Sequence, residues 1–431
     1  MTPRVLLVNP PVYDFTAYDF WLKPYGMLSV AGRLRGRAEL HLFDYMDRLH
    51  PALEEGQRTK SGEWGRGKFH SVEIERPEVY RGVERRYHRW GVPCEAFQTF
   101  IEERGPFDFC LVQTVMTYWY PGVREVIDDV RRLSPACKIV LGGAYATLCP
   151  QHARSLGPDL VIEGLDAGPL WEFLGVAPNQ DELPLYDLYP ALETGVLKLS
   201  DGCPFRCTYC SVPSVYPRFE SRGLSRSIRE FKQLVSLGAR NIAFYDDALL
   251  YKPDEVLLPF LDEIQRRGHH VNLHTPNALN ARFITREIAG AMVSAGFRTF
   301  YLGFESSADG WQKKHGAKVY SHELERAMEN LRAAGADLRN ATAYLIFAHP
   351  HGTEQNVRVS MEYAHSLGLR VMLSEFSPIP GTPDGEACRG IVDLDEPLMH
   401  NKSVFPLIHL GRERVREIKD LCRSLNSALA V

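Results

Sequence analysis

After residue 190 the chain repeats one pattern six times, a short apolar run leading into a stretch with helical periodicity. The runs are residues 196–199, 241–245, 270–275, 299–303, 341–347 and 370–376. The helical stretches are 225–237, 254–267, 285–295, 321–334 and 354–367, with no clear helix after the sixth run. Gly238, Gly268, Gly296, Gly335 and Gly368 follow these stretches, as helix C-termini favour. Such repetition predicts a partial (β/α)6 barrel over residues 191–385, with its chemistry on loops at the carboxyl ends of the strands.

The first half alternates as well. Apolar runs at 4–8 (stopped by Pro10-Pro11), 40–43, 107–112, 138–141 and 160–162 are separated by helical patterns at 28–34 and 122–133. This predicts an N-terminal doubly wound parallel sheet over residues 1–174. Ligands bind such sheets beyond the carboxyl ends, which here carry Asn9-Pro10-Pro11, residues 113–122, Gly142-Gly143 and Glu163-Gly164. An insert at about 49–105 begins as a polar loop (54–68) and ends with a short helix at 95–103. Within it Arg85, Arg86, His88, Arg89 and Trp90 read as a solvated basic face, or as a grip on an anionic group. Residues 175–190 are proline-rich and aperiodic, as an interdomain linker would be. Residues 386–431 form a C-terminal helical extension, with an amphipathic helix at 411–430 turning Ile418, Leu421 and Leu425 inward.

A formal charge of −4 over 431 residues gives no electrostatic case for nucleic acid or acidic membranes, and no apolar run is long enough to span a bilayer. Nine cysteines, an odd count with no secretory signal, point to reduced thiols and a cytoplasmic location. Three of them, Cys203, Cys207 and Cys210, follow the first barrel run in a C-x3-C-x2-C arrangement. Gaps this short bring three thiolates around one centre, and the next cysteine along the chain is Cys388. Three ligands suit a cubane iron–sulfur cluster with one open iron, which an amine and carboxylate can chelate. A zinc site completed by a distant histidine, or three core cysteines without metal, are the alternatives.

With Gly202-Cys203-Pro204 and Tyr209, this motif resembles the radical S-adenosylmethionine (SAM) superfamily. The first half resembles the cobalamin-binding, flavodoxin-like domain that precedes many of its members. The matching residues are Val8-Asn9-Pro10-Pro11, Tyr25-Gly26-Met27-Leu28, Gly142-Gly143 and Glu163-Gly164. The D-x-H-x-x-G signature of classical cobalamin enzymes is missing. Tyr118 or Trp119 is therefore a candidate to lie under the corrin, with core packing as the alternative. The resemblance implies a 4Fe-4S cluster, SAM and cobalamin as cofactors, a small-molecule substrate, and an electron donor such as flavodoxin or ferredoxin. It also assigns SAM contacts. Asp246 and Asp247 would face the amino group, or cap a helix; Glu305 and Ser306 would face the ribose and carboxylate, with a rim salt bridge the other role for Glu305. Arg282 would pair with the SAM carboxylate or brace Asp246 or Glu305.

In the loop after the fifth run, Ala348 and Gly352 replace a glycine and an acidic residue of the family's G-x-P-x-E-T pattern, and His349 and His351 stand where proton transfer can be sought. Pro378 to Thr382 match the family's P-x-P-G-T turn. The implied activity is cleavage of SAM to a 5′-deoxyadenosyl radical and methylation of an unactivated carbon. The alternatives are radical chemistry without methyl transfer (ring closure, rearrangement or oxidation) and a cobalamin- or SAM-sensing protein. A methylthiotransferase is disfavoured, because Cys94, Cys110, Cys137 and Cys149 lack the clustered spacing of a second cluster.

Overall fold

The computed structural model describes residues 2–316 and 318–429. Met1, Ala317, Ala430 and Val431 lie outside the described residues, and with them the expected last residue of the tail helix. The chain divides into two units. The first is Met1–Glu193 with Ser236–Gly238 and Asp395–Leu398; the second is the remainder, from Thr194.

In the first unit the strands of three residues or more are β1 (Arg4–Asn9), β2 (Val12–Asp14), β3 (Glu39–Asp44), β4 (Ser71–Ile74), β5 (Tyr87–Trp90), β6 (Phe109–Thr114), β7 (Lys138–Gly143) and β8 (Leu160–Ile162). Five of them form an all-parallel sheet in the order β8-β7-β6-β1-β3. The centre of that sheet is unbroken aliphatic sequence: Val5, Leu6, Leu7 and Val8 are fully buried, as a strand covered on both faces requires. Helices α1 (Tyr25–Arg33), α2 (Cys94–Arg104) and α3 (Tyr120–Leu133) follow or precede these strands. This is the doubly wound sheet that the alternation implied.

The insert is more ordered than its polar composition suggested. β4 and β5 pair with each other and with β2 as an antiparallel sheet. The expected basic face splits on it. Arg86 stays exposed opposite Glu73. Arg89 is held by Glu125, whose carboxylate also accepts from the Tyr13 hydroxyl. The presumed linker is part of this unit: Tyr186 and Tyr189 are buried, Leu185 N donates to the Leu28 carbonyl at 2.9 Å, and Tyr189 OH donates to Asp44 at 2.6 Å. Its prolines set the path of a chain packed against α1.

The second unit carries β9 (Thr194–Leu197), β10 (Asn241–Phe244), β11 (Asn272–His274), β12 (Phe300–Glu305), β13 (Ala341–Phe347) and β14 (Arg370–Glu375). They pair in parallel as β9-β10-β11 and β12-β13-β14. Parallel bridges at Leu273–Phe297 and Leu279–Leu302 link the two triplets. The six strands thus follow one another in chain order, a partial barrel. Between them run α4 (Leu224–Ser236), α5 (Leu257–Arg266), α6 (Arg286–Ser294), α7 (Asp309–His315), α8 (Ser321–Ala333) and α9 (Glu354–Ser366). The C-terminal helix α10 (Arg412–Ala428) buries Val415 and Ile418, while Leu421 and Leu425 are half-buried. Its Asn426 amide pairs with both backbone groups of Val371, covering the open edge of β14. The extension is therefore part of this unit, apart from Asp395–Leu398.

Candidate active site

The cysteine loop hangs from the end of β9. Ser200–Asp201 pairs antiparallel with Glu220–Ser221, closing a stem below it. Arg222 locks the stem with two hydrogen bonds to the Asp201 carboxylate (2.6 and 2.9 Å), and Lys198 adds a third (2.7 Å). Gly202 has φ +71°, and a Cβ there would lie 2.3 Å from the Arg218 carbonyl oxygen, so the position admits only glycine. Arg206 folds back across the loop to the Cys203 and Pro217 carbonyls. Asp246, after β10, fixes the approach: its buried carboxylate accepts from Leu199 N, Ser200 N (2.7 Å) and Ser200 Oγ (2.6 Å).

Cys203, Cys207 and Cys210 line one cavity of roughly 420 Å³ at the carboxyl ends of the barrel strands. Burial pushes all three thiols up, Cys210 to about 11, with Lys318 opposing. Among the described residues, a trio of ligand atoms within 4.8 Å of one another occurs at His315, His349 and Asp384 and not at these cysteines. Cys388 is buried in an apolar cluster with Trp311, Phe376 and Phe405, its thiol turned to the Asp384 carbonyl.

The remaining wall is polar on one side, with Asp247, Asn277, Glu305 and Lys318, and includes Tyr209, Tyr344 and Phe376. Asp247 Oδ2 is buried without a hydrogen-bond partner, and burial pushes that carboxyl up against the pull of Lys198 and Lys318. Glu305 sits at φ +65°, where β12 slips register against β13. A non-glycine residue held there is strained, which turns its carboxylate out of the strand pattern. Burial pushes its carboxyl up while Lys318 pulls it down. Lys318 lies in the stretch after α7, where no motif signals it.

The sequence pattern of the Radical SAM superfamily matches residues 197–364, from the end of β9 into α9. Over 282 residues the chain is 25% identical to the threonylcarbamoyladenosine tRNA methylthiotransferase MtaB of Thermotoga maritima, covering 61% of this chain and 64% of that one. An uncharacterized methyltransferase of Pyrococcus horikoshii is 26% identical over 264 residues, covering 60% and 54%. The chain thus spans 54–64% of the length of these relatives. Among solved structures, the radical SAM methyltransferase TsrM from Kitasatospora setae, with cobalamin and a [4Fe-4S] cluster bound, matches with a TM-score of 0.69 at 16% identity, covering 98% of this chain and 91% of that one. The cobalamin-dependent SAM radical enzyme OxsB matches at 0.60 and 12% identity, over 98% and 61%. These two likenesses show a shared fold.

Within the matched stretch, the residues expected around SAM fall into two groups. Asp247 and Glu305 line the cavity, and the Tyr209 ring stacks on Trp311 at 6.0 Å. Asp246 is turned to the backbone of residues 199 and 200, away from that wall. Arg282 donates to Glu323 at 2.8 Å. Ser306 Oγ accepts from Ala308 N, and the residue lines a small void behind the wall with Trp311 and His349. A partner 41 residues away, as for Arg282, is invisible to motif reading.

In the first unit the expected ring contacts are mostly committed elsewhere. Asn9 donates to Asp44 at 2.6 Å, and Pro10 is buried. Tyr118 is 1% exposed, and half-buried Trp119 donates from Nε1 to Asp14 at 3.0 Å, so both are held by contacts within the unit. Gly143 has φ +115°, with a would-be Cβ 2.2 Å from the Thr114 carbonyl oxygen; strand packing explains that glycine. Gly142 is held through its carbonyl by Thr114 Oγ1, Gly164 N donates to Thr147 Oγ1, and exposed Glu163 pairs with Arg154. What stays open at this end of the sheet is Gly143, Glu163, Met116 (40% exposed) and Leu165 (58% exposed). A rim of backbone and apolar side chains fits the edge of a large flat ring.

Proposed function

We propose that this chain is a cobalamin-dependent radical SAM methyltransferase that methylates an unactivated carbon of a small molecule. The observation that carries the reading is the meeting, on one cavity, of three cysteines with no fourth ligand and a buried carboxylate oxygen on Asp247 that lacks a partner. Cys203, Cys207 and Cys210 would hold a 4Fe-4S cluster, whose chemistry is one-electron reduction of a sulfonium. Asp247 would accept from the SAM ammonium, and Lys318 would face its carboxylate. Glu305 is left to accept from hydroxyls, and Phe376 and Tyr344 exclude water from the reacting carbon. Cobalamin would lie on the rim of Gly143, Glu163, Gly164 and Leu165, and the chemistry it supplies is methyl transfer. No helix among the described residues is long and apolar enough to cross a membrane.

The test is anaerobic reconstitution of the full chain. Roughly four irons per chain, corrin absorption, and S-adenosylhomocysteine together with deoxyadenosine after reduction with SAM and substrate are expected. Deoxyadenosine with no methylated product from any substrate would move the reading to radical chemistry without methyl transfer. A full cluster with no SAM turnover would favour a sensor. Alanine at any one of the three cysteines should abolish SAM cleavage.

A further inference from the structure

Directly behind the cysteine loop, three loops of the second unit and the end of α7 meet on one carboxylate. Asp384, in the turn after β14, is 3% exposed. Its Oδ2 accepts from Thr208 Oγ1 and from His349 Nε2 at 2.8 Å, and His315 Nδ1 lies 3.2 Å from it. Its backbone N donates to the Thr208 carbonyl at 3.1 Å, while Thr208 N donates to the His315 carbonyl at 2.9 Å. Thr208 stands between two of the three cysteines, so every polar group it has is gripped by this junction.

The protonation pattern follows from the contacts. His349 Nδ1 accepts the backbone N–H of His351 at 3.2 Å, so the ring's proton is on Nε2 and points at Asp384. Burial pushes the proton affinity of His315 down, against the pull of Asp384. His351, half-exposed, stacks on His315 with its Nε2 4.0 Å from Asp384 Oδ1. Burial would push the Asp384 carboxyl up, yet the hydrogen bonds from His349 and Thr208 outweigh it and hold it at about 2. The carboxylate is ionised and buried. His315, His349 and Asp384 also have the spacing of a one-ion metal site. With the proton of His349 on the nitrogen that would ligate, the trio is arranged to donate hydrogen bonds and not to bind a cation.

We propose that Asp384 is a positioning residue for the cluster: through Thr208 it fixes the Cys207–Cys210 turn, and its fixed negative charge sets how readily a cluster on those cysteines accepts an electron. The inference rests on the cluster in the proposed function. Iron–sulfur potentials respond to nearby charge and hydrogen bonding, and an added electron is disfavoured beside a buried anion. None of the three side chains on Asp384 reaches a cysteine sulfur in these contacts, so the influence is exerted through charge and through the backbone of residue 208.

The experiment compares anaerobically reconstituted full-length protein with Asp384→Asn, Asp384→Glu and Thr208→Val, reading iron per chain and the EPR-detected reduced fraction in a mediated redox titration without SAM. Asp384→Asn should keep its iron and show a reduced-to-oxidised ratio about tenfold higher at a fixed potential, equal to about 59 mV for one electron. Asp384→Glu keeps the charge and should stay within about twofold of wild type, which a purely structural role would not predict. Thr208→Val should release iron to a chelator several-fold faster. Unmoved Asp384→Asn potentials with full iron, or equal shifts in Asn and Glu variants, would overturn the proposal. If Asp384→Asn fails to hold iron, the Thr208→Val release rate decides: faster supports it, unchanged overturns it. A wild-type protein without a cluster would remove the proposed function as well, which separates the two failures.

Discussion

Asp246 and Asp247 are neighbours with opposite duties. Asp246 satisfies two backbone N–H groups and a hydroxyl inside the barrel, and burial pushes its carboxyl up to about 6. A raised value means that folding favours the protonated form. The stability it contributes is fully present below the unfolded carboxylate value near 4 and is lost as pH rises through about 6. Measured against Asp246→Asn, which cannot ionise, wild type should lose about 3 kcal/mol between those limits in urea unfolding. Asp384 runs the other way. With a folded value of about 2, its contribution is present above about pH 4 and lost as pH falls toward 2, about 2 kcal/mol relative to Asp384→Asn. For Asp247 the unpartnered oxygen predicts a split. Asp247→Asn should leave stability equal or higher, yet weaken SAM binding by roughly 10- to 100-fold in calorimetry, the worth of a charged hydrogen bond. The presence of these aspartates beyond β10 was legible in the sequence. Which one turns inward was not, because that depends on Leu199 and Ser200, nearly fifty residues away.

At the scale of elements, the barrel could be read almost residue by residue, because its strands are aliphatic runs and its helices carry a buried stripe closed by glycine. β4 and β5 could not. Each is four residues long with charged side chains on a half-exposed face, and their pairing is set by β2, far back in the chain. The Arg89 cluster was misread for the same reason: its neutralising partner Glu125 lies on α3. The cysteine motif was legible, but its stem was not, since two-residue strands leave no periodicity. The stem makes its own prediction. Gly202→Ala forces a side chain toward the Arg218 carbonyl at a positive φ, so the loop cannot close. Iron per reconstituted chain should fall to less than about a tenth, while the thermal midpoint of the barrel moves by only a few degrees.

For the molecule as a whole, the two units divide the legibility unevenly. The second unit's candidate cofactor residues announce themselves by spacing. Those proposed for the first do not, since the open end of its sheet is built from backbone and from residues such as Met116 and Leu165 that resemble any surface. Tyr118 and Trp119 read equally as candidates to lie under a corrin or as core packing, and the bond from Trp119 to Asp14 of β2 is a partner that the loop's own sequence does not show. The rim can be tested without touching the core. Met116→Asp with Leu165→Asp changes two exposed side chains, so stability should move by less than about 1 kcal/mol. The purified protein should nonetheless lose its corrin absorption while its iron content and deoxyadenosine formation persist.

The short stem below Cys203 has one further consequence. Two backbone rungs and an arginine latch, with Lys198 and Asp246 beside them, fasten that excursion at its root, and the wall from which it springs has its own hydrogen bonds. Undoing the latch leaves the wall standing. Loading of inorganic iron and sulfide can then follow chain folding as a separate event, and a stripped protein can be refilled without passing through the denatured state.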